Sequence, residues 1–307
     1  MKNYCTNKIR LKKSTILAFK MSYMKILLFI ALSISHFGYS QDLIPFKIYD
    51  KKGKEIKYKK ILKELTGSDV ILFGELHNNP ISHWIQLKLS EDLNSNYTLA
   101  LGAEMLERDN QEPLSDYLNG KIDQDGLDTL ARLWPNYRTD YKPLVDFAKN
   151  NEIEFIATNI PRRYASMVYK NGFSILDTLS EKEKSWIADL PIPYDPELPG
   201  YKKMLTMMSD HANENFPKAQ AIKDATMAES IVNFLEKNKV EKFLHFHGAF
   251  HSNNFEGIFW YLEQYNPALS TMTLTTVLQE NVNILEDENK ELADFIIVVD
   301  EKMTTTH

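Results

Sequence analysis

The stretch 244–252, LHFHGAFHS, places three of the chain's eight histidines within seven positions. Imidazoles gathered in this way serve as metal ligands, haem contacts or acid/base groups, or they sit satisfied in a core. His245 and His247 are two apart, so in a strand they share one face and leave Leu244 and Phe246 on the other. An apolar strand has no need of imidazoles along one face, which points to a site. Gly248 allows a turn or a close backbone approach, and His251 opens the loop that follows. The plainer reading applies best to His245, the deepest of the three, as a hydrogen-bonded core histidine.

A second group lies in Gly74-Glu75-Leu76-His77, with His83 six positions further on. It is not the zinc-protease pattern, which needs two histidines four apart on a helix with a glutamate between them. Glu104 follows ALGA, and Asn159 precedes Pro161-Arg162-Arg163. One chemistry for this set is a divalent metal ion held by Glu75, His77, His247 and His251. An open position would then carry water, and Glu75 or Glu104 would act as general base in hydrolysis. The bland alternative has His77 bonding nearby backbone and Glu75 pairing with an arginine.

A third group suggests another ligand. In GYKKMLTMMSDH, Met204, Met207, Met208 and His211 recur along one helix face. Thioethers make an adaptable apolar contact surface, which is either an ordinary packed face or a lid on a large flat apolar ligand. Tyr194 and Tyr201 flank the segment, and a tyrosinate can serve as an axial haem ligand. On this reading Tyr194, Tyr201 or His211 holds iron, Met207 lies against the macrocycle, and Arg162, Arg163, Lys202 or Lys203 meets the propionates.

These residues need a scaffold that brings them together. Apolar runs over 69–75, 97–106, 152–160 and 241–250 read as buried strands, and 270–279 and 293–300 complete the sheet. Helical patterns fall between them: Pro80 opens one, and 161–172 starts on proline and closes on glycine. This alternation predicts an α/β fold with a mainly parallel sheet flanked by helices. Residues 174–240 show no strand, and about 174–216 reads as a helical insertion or lid. Ligands of such sheets sit beyond the carboxyl ends of the strands, where Glu75, His77, Glu104, Arg162 and His251 all fall.

The first forty residues stand apart. From Met24, MKILLFIALSISHFGYSQ has the layout of a secretory signal peptide cleaved after Ser40, and 1–23 reads as an upstream start. The expectation is an exported, most simply periplasmic, single domain over 41–307. Cys5 is the only cysteine, so 41–307 has no disulfide, no thiolate metal site and no lipid-bearing cysteine. Those residues carry 29 basic against 42 acidic groups, which argues against nucleic acid as a partner. Nothing after the leader reads as transmembrane.

Taken in order, GELHNNPISH, ALGAEML, ATNIPRRY, AQAIKDATMAESI and HGAFHSNNFEGIFWYL resemble the ChaN-like haem-binding uptake proteins, within the wider superfamily of Tiki proteases and erythromycin esterases. The resemblance spans about 65–265. It implies an α/β fold with a helical insertion, export, and haem binding in iron acquisition. Its strand-end positions fall on Glu75, His77, Glu104 and His251, which in the related proteases are thought to hold a divalent metal. The chain departs from the pattern by lacking a lipid-anchor cysteine. It also has Gly248-Ala249-Phe250-His251 where many relatives read Gly-x-Gly-His. No motif maps the axial ligand, so Tyr194, Tyr201 and His211 rest on the local argument alone. An open apolar lid face favours a homodimer with haem at its interface.

Overall fold

Each of the buried runs ends where its apolar pattern gives way to polar residues. In the computed structural model, which describes residues 43–207 and 213–307, they form one seven-stranded sheet. The strands are β1 (Phe46–Asp50), β2 (Val70–Glu75), β3 (Leu99–Glu107), β4 (Glu154–Asn159), β5 (Lys242–Gly248), β6 (Thr271–Gln279) and β7 (Phe295–Asp300). Their order across the sheet is β1-β7-β6-β2-β5-β3-β4. All neighbours are parallel except the edge strand β1, which runs antiparallel to β7. β1 escaped the sequence reading: FKIYD is a single short run, and its pairing partner lies some 250 residues away.

The alternation of side chains splits the core in two. Ile71, Phe73, Leu101, Ala103, Leu244 and Phe246 face one layer. That layer is built by α1 (Tyr58–Glu64), α2 (Pro80–Asn94), α3 (Gln111–Leu118), α4 (Gln124–Leu130) and α5 (Lys142–Asn150). Val70, Leu72, Ala100 and Phe243 face the other, formed by α6 (Arg162–Asn171), α8 (Pro199–Met207), α9 (Phe216–Lys237) and α10 (Ile258–Tyr265), while the short α7 (Glu181–Lys184) buries none of its residues. Fully apolar strands are what a parallel sheet covered on both faces requires.

The helix starts follow local chemistry. Asn79 caps α2 by accepting the backbone N–H groups of Ile81 and Ser82 at 3.0 Å each, with Pro80 in the first turn. Gly172 closes α6 at φ 76°, a left-handed conformation that glycine adopts without strain.

The expected insertion is less helical than its pattern suggests. Residues 174–190 give a 3-10 turn (Phe173–Thr178) and one helical turn, α7. Ser180 and Glu183 form a capping box that starts a new helix there. Beyond it the backbone is satisfied by α9 and not by helix. Ala188 N–H donates to Thr226 Oγ1 and Asp189 N–H to Glu229. Arg108, paired with Glu229 at 2.9 Å, donates to the Ile187 and Thr226 carbonyls and to Ser230. Leu176, Ile187, Tyr201 and Met204 are buried in the same cluster as α9, so this segment is a wall of the core. Among the described residues no helix is long and apolar enough to cross a membrane.

Candidate functional site

The carboxyl ends of β2, β3 and β5 lie side by side, and register places Glu75 opposite Gly248. β3 carries Glu104 on an irregularity. Ala103 pairs with Ala157, but the next pair is Glu107 with Asn159, so β3 spends two more residues than β4 over that span. Such bulges re-aim side chains at strand ends. The Glu104 carboxylate turns to β5, where Oε2 accepts the Gly248 N–H at 2.8 Å.

His251, on the turn after β5, is held between two carboxylates. Its Nε2 lies 3.1 Å from Glu104 Oε1, and its Nδ1 bonds Asp224 on α9. Gln220, one turn before Asp224, packs its amide against the same ring. Burial opposes charge on this ring, yet the Glu104 and Asp224 carboxylates push its pKa up to about 9. Burial also opposes ionisation of Glu104, but the His251 charge holds its carboxyl far below the usual range. Asp224 moves up instead, because burial there outweighs His251. One imidazolium cannot balance two buried carboxylates. Glu104, which also has the Gly248 N–H and the charge of His77, takes the ionised form.

Glu75 is fully buried and fully engaged. Its Oε1 accepts from Tyr141 at 2.7 Å and from His77 Nδ1 at 2.8 Å, and its Oε2 accepts from Gln86. Burial and the Glu75 charge keep the Tyr141 phenol protonated as a donor. Glu75 is thus the residue that orients His77, whose side chain is 39% exposed. Burial lowers the His77 pKa, but the Glu75 hydrogen bond and the Glu104 charge outweigh it and leave it raised. The His77 ring packs edge-on to Trp134, centroids 4.9 Å apart. A Cβ on Gly248 would stand 2.7 Å from His77 Nε2 and 3.5 Å from Glu104 Oε2, so glycine is what lets both groups close over β5.

The other two histidines of the LHFHGAFHS stretch are wholly buried on the opposite face from Leu244 and Phe246. Thr158 Oγ1 donates to the Ala103 carbonyl at 2.9 Å and therefore accepts from His245 Nε2 at 2.7 Å. His245 Nδ1 must then accept, so His247 Nδ1–H donates across 3.0 Å. His247 Nε2 accepts from Ser252 Oγ at 2.8 Å. The chain Ser252→His247→His245→Thr158→Ala103 is complete only when both imidazoles are neutral. Burial agrees, holding His245 down to about 3 and His247 well below its ordinary value. Both nitrogens of His247 are therefore committed, which leaves it no lone pair for a metal.

Glu75, His77, Glu104, Arg162 and His251 line one cleft of about 1080 Å³, together with Trp134, Ile160, Met204, Phe216, Lys223 and Phe250. Pockets for small molecules run from about 300 to 1,000 Å³, so this cleft has room for a large ligand. Asn159 also faces it, and its buried Oδ1 has no partner. Tyr194 and Tyr201 do not line it. They stack on each other at 5.6 Å inside the α8–α9 core. Burial keeps the Tyr201 phenol protonated, which opposes a tyrosinate there. Met207 ends α8, and Met208 and His211 lie outside the described residues. Gln220 and Asp224 were not foreseen, although two polar residues four apart on an apolar helix stripe were the signal. Gln86 and Tyr141 gave no such signal.

A family model matches most of the chain. The family described as haem-binding uptake, Tiki superfamily, ChaN covers residues 61–262. The chain belongs to that family. Its fold resembles the solved structure described as cofacial heme binding to ChaN of Campylobacter jejuni, at a TM-score of 0.63 and 17% identity, over 83% of this chain and 97% of that one. It also resembles a succinoglycan biosynthesis protein, at a TM-score of 0.50 and 12% identity, over 78% and 90% of the two chains. Over 160 residues it is 25% identical to Protein RETICULATA-RELATED 5, chloroplastic, of Arabidopsis thaliana. That match covers 47% of this chain and 21% of the relative, so the chain spans about a fifth of that protein's length.

Proposed function

We propose that this ChaN-family chain binds haem in the strand-end cleft and works in haem or iron handling after export. The observation that carries the reading is the cleft's lining: apolar side chains (Trp134, Ile160, Met204, Phe216, Phe250), an imidazole with a free nitrogen (His77), and two cations (Arg162, Lys223). These residues fit haem. His77 Nε2 would offer the iron a ligand while Glu75 fixes the ring from behind, the carboxylate–histidine arrangement that raises ligand basicity. Arg162 and Lys223 would receive the propionates by charge-assisted hydrogen bonds. His251, locked as an imidazolium between Glu104 and Asp224, would brace the rim and not ligate iron. The signal-peptide pattern from Met24 supports export to the periplasm. A homodimer closing over haem at the cleft mouth extends this reading, with half-exposed Phe250 as an apolar contact.

The alternative, a hydrolase built on a divalent ion, gains no support from the donor geometry. Among the described residues no group of three or more His, Cys, Asp or Glu stands arranged to hold a metal ion. Titrating haem into residues 41–307 tests the reading by visible absorption. Saturable binding with a ligated-iron spectrum, weakened by His77→Ala, is expected. Haem that stays free in solution would refute it.

A further inference from the structure

Of the six described histidines, four have both ring nitrogens engaged by protein. These are His83, bonded to Gln86 and the His77 carbonyl, and His245, His247 and His251. The remaining two are His77 and His307, and both line the cleft. His307 lies outside the 61–262 match to the family, so the relationship assigns it nothing. It reaches the cleft because Thr306 is pinned on both sides. The Thr306 N–H donates to the Asn78 carbonyl at 2.9 Å, and its hydroxyl donates to Asp140 Oδ2 at 2.8 Å. Asp140 is buried and is itself fixed by Asn136 at 2.7 Å. His307 then turns Nδ1 toward this anchor, 3.6 Å from Asp140 Oδ2 and 3.3 Å from Thr306 Oγ1. Its Nε2 has no partner among the described residues, and the side chain is 50% exposed.

We propose that His307 is a haem-iron ligand, binding through Nε2 with Asp140 behind Nδ1. The assignment rests on the haem reading of the same cleft. It resembles the pattern of Glu75 behind His77, with the buried carboxylate 3.6 Å from Nδ1 and reached through Thr306 Oγ1, and with an Nε2 that has no partner among the described residues of a cleft-lining side chain. Segment 301–307 is then a strap that haem fastens. Met303 packs against the core and Thr306 bonds Asn78 and Asp140, so haem would add a third hold on the segment.

The test compares haem titrations of the wild-type chain and His307→Ala, with visible spectra and amide exchange of residues 302–307. The variant should bind more weakly by about tenfold or more and change from a two-imidazole to a one-imidazole spectrum, with His77 still ligating, and added free imidazole should restore the two-imidazole form. In the wild type, haem should slow exchange at 302–307. In the variant it should not. A His307→Ala chain with wild-type affinity and spectrum overturns the assignment while leaving haem binding standing. A wild-type chain that shows no saturable binding overturns both together.

Discussion

The neutral histidine pair makes the protein acid-sensitive in a way that can be calculated. An unfolded histidine titrates near 6.5, whereas His245 is held down to about 3 and His247 also lies well below its ordinary value. A group whose folded pKa is depressed favours folding above its unfolded pKa, and that stability is lost as pH falls toward the folded pKa. Between pH 7.5 and 5 the unfolded chain takes up nearly one proton at each site and the folded chain takes up almost none. The loss is about 2 kcal/mol per histidine, or about 4 kcal/mol for the pair. His251, with its pKa pushed up to about 9, works in the opposite sense over the same range. The clean measurement is therefore a difference. Urea unfolding at pH 7.5 and 5.0 is compared between the wild type and a His245→Leu/His247→Leu chain, in which His251 cancels. The wild type should lose about 4 kcal/mol more than the variant. Equal losses would show that the pair carries protons in the folded state and that the one-way hydrogen-bond chain is wrong.

Three further outcomes follow from contacts already described. Gly248→Ala puts a methyl 2.7 Å from His77 Nε2, so it should cost about 1–3 kcal/mol as an overpacked site and weaken haem binding, read by unfolding and titration. Tyr201→Phe removes a buried hydroxyl that has no partner. Stability should hold or rise by up to about 1 kcal/mol, with the haem spectrum unchanged; loss of that spectrum would return Tyr201 to the site. Arg108→Met strips four hydrogen-bond acceptors of one guanidinium and leaves Glu229 without its partner. A loss of about 3–5 kcal/mol in unfolding free energy is expected, with faster proteolysis near 187–189.

What could be read from the sequence was whatever is local. The strands that deliver Glu75, Glu104 and His251 announce themselves as apolar runs, and the α2 and α6 boundaries follow from Asn79, Pro80, Pro161 and Gly172. The faces of β5 follow from its period of two. What could not be read depends on distant partners. No local feature tells that His245 and His247 satisfy each other while His77 stays free, because Thr158 and Ser252 decide it. Of the stripe Met204–His211, Met204 is buried and lines the cleft, while 208–212 lie outside the described residues. The part played by Asp140 and His307 needs three separate stretches of chain to meet.

The strand order also governs when the cleft can exist. β5 lies between β2 and β3, so Glu75 and Glu104 share a rim only after a strand begun at Lys242 has slotted between two strands that precede it by more than 130 residues. Such distant pairings form slowly. Before β5 is in place Glu75 can hold His77, Gln86 and Tyr141, but Glu104 lacks its Gly248 and His251 contacts, so the shared rim and the histidine brace depend on β5. Haem capture would then report completed folding, and a chain stalled before β5 would lack the shared rim and the brace.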